Sequence, residues 1–387
     1  MPESEASSPV PEPTESTSPV APPAVDAAES APPPPLADEP PPIVPESPKR
    51  PEPQPFIFHG DTWEYFRIWI VNTLLTLLTL GIFAAWAKVR KRRYLRGNTE
   101  LMGHRFDYRA DPRGILAGNL IVVVLFLAYA IFGEVYPMVR FGAIGLGLVL
   151  LPWVVARSLA FNAHNTSYRG MRFYCRQTYG WTAMTYLGQF LFVILTLGVF
   201  YPAWIRNRRQ FVIGSHRLGN AYFNFQGRAG PFYTAYLVGG SLVLGAMIAG
   251  GTFMSLSMAA RGAKVATFTD LLPFFAVYGG MLYLAKHYIY ARLFNYVWNH
   301  TQLDAHRFHA DLPVGGWVRL QMTNLGAIIA TAGLLYPWAQ VRSARFALSR
   351  LHFLPAGPIE RIERLGRETG SAFGETAAEF AGIDLGL

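Results

Sequence analysis

The sequence predicts an all-α multi-pass membrane bundle. Spanning helices are joined by three internally repeated broken helices, re-entrant or interfacial, and by a small cytosolic layer of short β-strands. Three observations predict this. Only 15% of the 387 residues are charged and 51% are hydrophobic, whereas soluble domains carry about 25% charge. Several apolar stretches reach about 20 residues, enough for a helix to cross roughly 30 Å of hydrocarbon. The chain also repeats itself in three places. An ordinary soluble enzyme is excluded on these grounds. The lone Cys175 excludes an intramolecular disulfide and a Cys-based zinc cluster.

The chain divides into three parts. Residues 1–55 hold 19 of the 29 prolines and have a net charge of −8; such a composition buries too little apolar surface to order itself, which predicts a disordered tail. Residues 56–354 form the membrane domain. The 32 bases and 15 acids beyond residue 55 give +17. Residues 355–387 place Ile359, Ile362, Leu365, Phe373, Ala377 and Phe380 at three- to four-residue steps, with one eight-residue gap, after Pro355 and Pro358, predicting an amphipathic helix.

The repeats lie in 63–108, 181–225 and 317–353. Each has a glycine late in an apolar run, Gly81, Gly198 and Gly333, with a threonine two residues earlier, Thr79, Thr196 and Thr331. Nine residues before each glycine stands an amide, Asn72, Gln189 and Asn324. Trp86, Trp204 and Trp338 follow, and four residues later come Arg90, Arg208 and Arg342. Pro202 and Pro337 mark the turn in two copies. A second pattern, Thr99-x-Leu101-x-x-His104-Arg105-Phe106, recurs from Thr301 to Phe308, with echoes at 166–173 and 216–223. Partial alternation of aromatic residues predicts four short strand pieces there.

Charge orients the chain. Were all seven apolar segments to span, the loops on the two sides would hold 21 and 8 Lys/Arg. Were the three glycine-bearing repeats to return to the side they left, the division becomes 26 and 3, with loops 134–140 and 261–270 alone outside. The second arrangement obeys the positive-inside rule more sharply and puts all strand pieces, and both termini, in the cytosol.

The candidate intramembrane polar site is Asn72, Gln189, Asn324, Thr79, Thr196 and Thr331. An amide in hydrocarbon must find a partner, across the bundle or in a polar path. Gly81, Gly198, Gly333, Pro202 and Pro337 are the predicted helix breaks. Lys88, Arg90, Arg92, Arg93, Arg208 and Arg342 are candidate contacts to anionic lipid, each worth about 1 kcal/mol. The clustered His300, His306 and His309 lack a metalloprotease pattern, so no metal or cofactor is predicted. No catalytic residues are assigned; an enzyme would need convergent polar groups around His104, Arg105, His306 and Arg307. No nucleic-acid module is present.

With these residues in view, the chain resembles the YjgN family of uncharacterised bacterial inner-membrane proteins. The resemblance is carried by Asn72 through Tyr108, including LTLGIFAAWAKVRKRRYLRGNTELMGHRFDY, with echoes in LTLGVFYPAWIRNRRQ and LLYPWAQVRSARF and in the C-terminal GIDLGL. It implies an inner-membrane location and several membrane passes, and no activity. The expected function is that of a structural or interaction protein, with a protein partner docking on the tail or the strand layer. The alternative is a transporter or channel for a small solute or lipid. Membrane lipids are partners in either case.

Overall fold

A computed structural model describes residues 52–357 apart from Glu134, Ala263 and Lys264. Most of the predicted tail and the C-terminal amphipathic helix lie outside the described residues. The described chain is five successive units, each a five-residue strand, a helix pair and a shorter strand. The first unit is β1 (Gln54–Phe58), α1 (Thr62–Leu78), α2 (Ala84–Gly97) and β2 (Thr99–Leu101). The second is β3 (His104–Tyr108), α3 (Pro112–Phe132), α4 (Pro137–His164) and β4 (Thr166–Tyr168). The third opens with β5 (Met171–Cys175) and α5 (Tyr179–Ala183). A π-helical segment (Met184–Gly188), α6 (Gln189–Leu195), α7 (Tyr201–Gly214) and β6 (His216–Leu218) complete it. The fourth is β7 (Ala221–Phe225), α8 (Gly230–Ala260), α9 (Phe268–Asn299) and β8 (Thr301–Leu303). The fifth is β9 (His306–Ala310), α10 (Val314–Ala330), α11 (Tyr336–Leu348) and β10 (Leu351–Leu354).

The expectation of an all-α bundle with a small strand layer is corrected here. The ten strands close into one antiparallel barrel in which each strand pairs with its neighbours in sequence and β1 pairs with both β2 and β10. Each of the four strand pieces is a hairpin of a three- and a five-residue strand. A fifth hairpin is made from the two ends of the described chain, with Gln54 opposite Phe353. Strands this short expose unpaired edges in an open layer, and closure removes them. Two of the hairpin turns put two consecutive residues at positive φ, Met102-Gly103 and Arg169-Gly170, the backbone of tight two-residue β-turns.

The barrel interior is a packed core. The middle residue of every five-residue strand is phenylalanine: Phe56, Phe106, Phe173, Phe223 and Phe308. Successive rings lie 6.5, 6.5, 6.2 and 6.4 Å apart with planes within 25° of parallel. Phe353 of β10 packs on Phe308 at 5.3 Å. The last residues of the short strands, Leu101, Tyr168, Leu218 and Leu303, fill the adjacent layer.

Register fixes where the helices go. The last residue of each five-residue strand lies opposite the first of the strand that follows its helix pair: Phe58 with Thr99, Tyr108 with Thr166, Cys175 with His216, Phe225 with Thr301, Ala310 with Leu351. All five helix pairs therefore leave and re-enter at one rim. The pairs also neighbour each other in chain order around that rim, α11 closing on α1. Four helices, α3, α4, α8 and α9, are long and apolar enough to cross a membrane. From the common rim the 31 and 32 residues of α8 and α9 extend about 47 Å, whereas the 17 residues of α1 and of α10 extend about 26 Å. The three short pairs turn back roughly half-way along the long ones. Their tips are apolar and bare: Leu80 and Leu197 are each 95% exposed, as suits side chains facing lipid rather than water.

The three breaks share one construction. Thr79, Thr196 and Thr331 end their helices, donating to the carbonyl four residues back at 2.7, 2.8 and 2.7 Å. Each hydroxyl also accepts the amide four residues ahead, that of Phe83, Phe200 or Leu335, at 2.9, 3.1 and 3.2 Å. Leu80, Leu197 and Ala332 take φ near +50°, and Gly81, Gly198 and Gly333 take +93°, +88° and +93°. Each glycine amide donates to the carbonyl five residues back at 2.8 Å, closing a Schellman motif. The T-x-G spacing is thus a backbone requirement in a place where water does not satisfy freed groups. Thr331→Val is expected to lower stability by about 1–2 kcal/mol, and Thr331→Ser to restore it; thermal unfolding of the purified protein checks both.

Candidate functional site

A cavity of about 1620 Å³ lies among α7, α8, α9, α10 and α11 beneath the barrel. Leu95, Val212 and Val297 line its upper end, each four residues before a short strand begins. Its walls are apolar and aromatic, including Leu244, Met247, Leu282 and Ile328. Its polar groups converge from helical spacing: Gln321 and Asn324 on α10, Gln340 and Ser343 on α11, Lys286 and His287 on α9, Arg208 and Arg209 on α7. No Asp or Glu lines it.

Among the described residues the three cations, Arg208, Arg209 and Lys286, have no carboxylate partner. The Arg208 guanidinium lies 4.9 Å from the ring centres of both Tyr186 and Trp204, and its buried Nε has no hydrogen-bond partner. Arg209 and Lys286 are exposed to the cavity. Across the α10–α11 pair, Gln321 Nε2 and Asn324 Nδ2 each donate to Ser343 Oγ at 3.0 Å. The Tyr283 hydroxyl donates to the Gln321 carbonyl at 3.2 Å. Cations, amides and hydroxyls thus face apolar surface across one space.

The candidate amides are not brought together. Each lies within its own helix pair. Gln189 Oε1 accepts from Asn207 Nδ2 at 3.1 Å. Asn324, 1% exposed, accepts from Arg342 at 2.9 Å and alone of the three lines the cavity. Asn72 is buried with its Oδ1 unpartnered. The threonines and glycines form the breaks described above, and Pro202 and Pro337 sit in the first turns of α7 and α11. Among the candidate lipid contacts, Arg92 and Arg93 bond to Tyr108 at the barrel rim, at 3.2 Å each. Arg90 lies over Phe83 at 5.3 Å. Burial lowers the Lys88 ammonium from its ordinary range. Arg208 faces the large cavity, and Arg342 a second cleft.

The polar groups around His104 and His306 do not converge either. They lie on β3 and β9, which are not neighbours; the His306 ring stacks on Phe353 at 5.4 Å, and burial lowers its pKa. The Cys175 thiol is pushed up to about 11 by burial, so it is not a thiolate near neutrality. Sequence reading missed Arg209, Gln321, Gln340 and Ser343 as cavity residues. Their signal is the i, i+3 spacing of Gln321 with Asn324 and of Gln340 with Ser343, which puts amides and hydroxyls on one face of each helix.

Four membrane-length helices, three short apolar-tipped pairs and a strand barrel at their common rim define a polytopic membrane protein. Comparison with known proteins makes that class specific. The chain belongs to the family described as bacterial protein of unknown function (DUF898), which matches residues 53–380. It is 26% identical over 339 residues to the inner membrane protein YjgN of Salmonella typhimurium, covering 74% of this chain and 84% of the relative. It is 40% identical over 124 residues to the inner membrane protein YjgN of Escherichia coli K12; that match spans 30% of either chain. No solved structure matches. The chain is an inner-membrane protein, as the resemblance in its first repeat implied.

Proposed function

We propose that this protein binds an anionic phospholipid of the cytosolic leaflet in the cavity beneath the barrel, and so handles lipid in the inner membrane. The observation that carries this is a cavity of about 1620 Å³ with apolar walls, three cations and no carboxylate. A drug-sized ligand fills roughly 300–1,000 Å³, so the volume suits a larger amphiphile. The cations match a phosphate, and the apolar walls match acyl chain. This supports the lipid-handling expectation over a purely structural one.

The barrel faces the cytosol in this reading. Among the described residues, the stretches on the barrel side of the apolar segments carry 23 Lys/Arg, and the two far turns carry 2. A bilayer core needs about 30 Å of the roughly 47 Å that α8 and α9 provide. The remainder stands between membrane and barrel, which leaves the cavity at headgroup height and the short pairs inserted in one leaflet.

The test is lipid retention by the purified protein. Wild type is expected to hold phosphatidylglycerol over phosphatidylcholine in native mass spectrometry. Arg209→Gln with Lys286→Gln removes two cations worth about 1 kcal/mol each, so phosphatidylglycerol should bind roughly 30-fold more weakly. Neither residue makes a hydrogen bond or ion pair within the described residues, so protein level should not change. Unchanged retention in the double variant rejects the reading.

A further inference from the structure

We infer a second, separate binding site for a phosphoryl group in the cleft between α10, α11 and the start of α1. It does not depend on the cavity reading. The cleft, about 840 Å³, is lined by Arg319, Arg342, Arg345 and Arg350, with Thr62, Thr323 and Ser349 supplying hydroxyls. Four guanidinium groups at one cleft repel each other unless an anion sits among them. The protein supplies little of that charge. Arg342 donates to Thr323 Oγ1 at 2.8 Å and to Asn324 Oδ1 at 2.9 Å, and Arg345 donates to the Gly60 carbonyl at 2.9 Å, all neutral acceptors. Arg350 meets Asp311 at 3.7 Å, both half-exposed, a contact worth little. Arg319 makes no hydrogen bond or ion pair among the described residues. Asp61 also lies within electrostatic reach of Arg345, so four arginines against two carboxylates leave the cleft a net charge of about +2 and most of its N–H forks unfilled, which suits the several oxygens of a phosphate better than a single carboxylate.

The last repeat differs here from the first. In the first repeat Arg67 occupies the position of Arg319, 14 residues before the glycine, but lies over Trp63 at 5.1 Å. The cleft sits near the barrel rim: Pro313 and Gly316 belong to the opening of α10, and Arg350 directly precedes β10. A phosphate reaches it from a lipid headgroup below or from solution at the side.

The two sources are separated by two titrations on the full chain in phosphatidylcholine nanodiscs. Inorganic pyrophosphate is added in one, followed by calorimetry. Phosphatidic acid is doped into the disc in the other, followed by native mass spectrometry. Binding of either probe, weakened tenfold or more by Arg319→Gln with Arg350→Gln, is the expected result, and the probe that binds names the source. The Arg209→Gln, Lys286→Gln variant should leave pyrophosphate binding unchanged, and the phosphatidic acid titration is run in that background so that the cavity takes up no lipid of its own, which separates this site from the cavity. If wild type binds neither probe, or the Arg319/Arg350 variant binds as wild type does, the inference is overturned.

Discussion

Phe308→Ala should destabilise the barrel by about 3–5 kcal/mol, the usual loss when a buried phenylalanine leaves a cavity. Phe308 is 7% exposed and its ring meets Phe223 at 6.4 Å, Phe353 at 5.3 Å and Trp298 at 5.1 Å. Several ring contacts vanish together, and strands of four and five residues have few hydrogen bonds with which to compensate. Phe308→Leu keeps most of the volume and should lose under about 1.5 kcal/mol. Thermal unfolding followed by tryptophan fluorescence reads both, since Trp298 reports on the same ring. Because the barrel gathers all five helix pairs, the alanine variant should also become sensitive to protease at the hairpin turns 101–104 and 303–306. An alanine variant that melts with wild type would mean that the phenylalanine ring adds little to the barrel's stability.

The parts of this fold legible in sequence are those where the backbone dictates the residue. A Schellman break with φ near +93° at its second residue calls for glycine there, and a dry break calls for a hydroxyl, so Thr79-x-Gly81 repeats as Thr196-x-Gly198 and Thr331-x-Gly333. The barrel was half legible. Its middle phenylalanines recur at fixed spacing in β3, β5, β7 and β9, and these were read as strand pieces. Their closure was not legible, because it depends on β1 and β10, at opposite ends of the described chain. In β1 the pattern Phe56-x-Phe58 repeats Phe106-x-Tyr108, yet it adjoins a proline-rich stretch whose composition argues against any strand. The cavity was least legible. Lys286, Arg209 and Gln321 come from three different helix pairs, and only the ring arrangement of those pairs sets them around one space.

Sidedness gives the sharpest expected result. In a Cys175→Ser background, a cysteine at Tyr222 should stay unlabelled by a membrane-impermeant thiol reagent in intact cells and label once the membrane is opened. A cysteine at Met138 should label in intact cells. Tyr222 is 59% exposed on β7 and Met138 is 88% exposed at the α3–α4 turn, so access is decided by the membrane alone. Seven plain spans would put β7 outside, because α5, the π-helical segment and α6 would then cross. The barrel forbids that: β7 pairs with β8 and β6 with β5, so a ring of ten strands lies on one side or does not close. Labelling at Tyr222 and not at Met138 would invert the orientation and move the basic rim outside. Labelling at both positions would break the ring, and with it the single rim from which the cavity and the arginine cleft are built. Protection at Tyr222 with labelling at Met138 keeps barrel, cavity and cleft on the face where anionic headgroups meet the cytosolic bases.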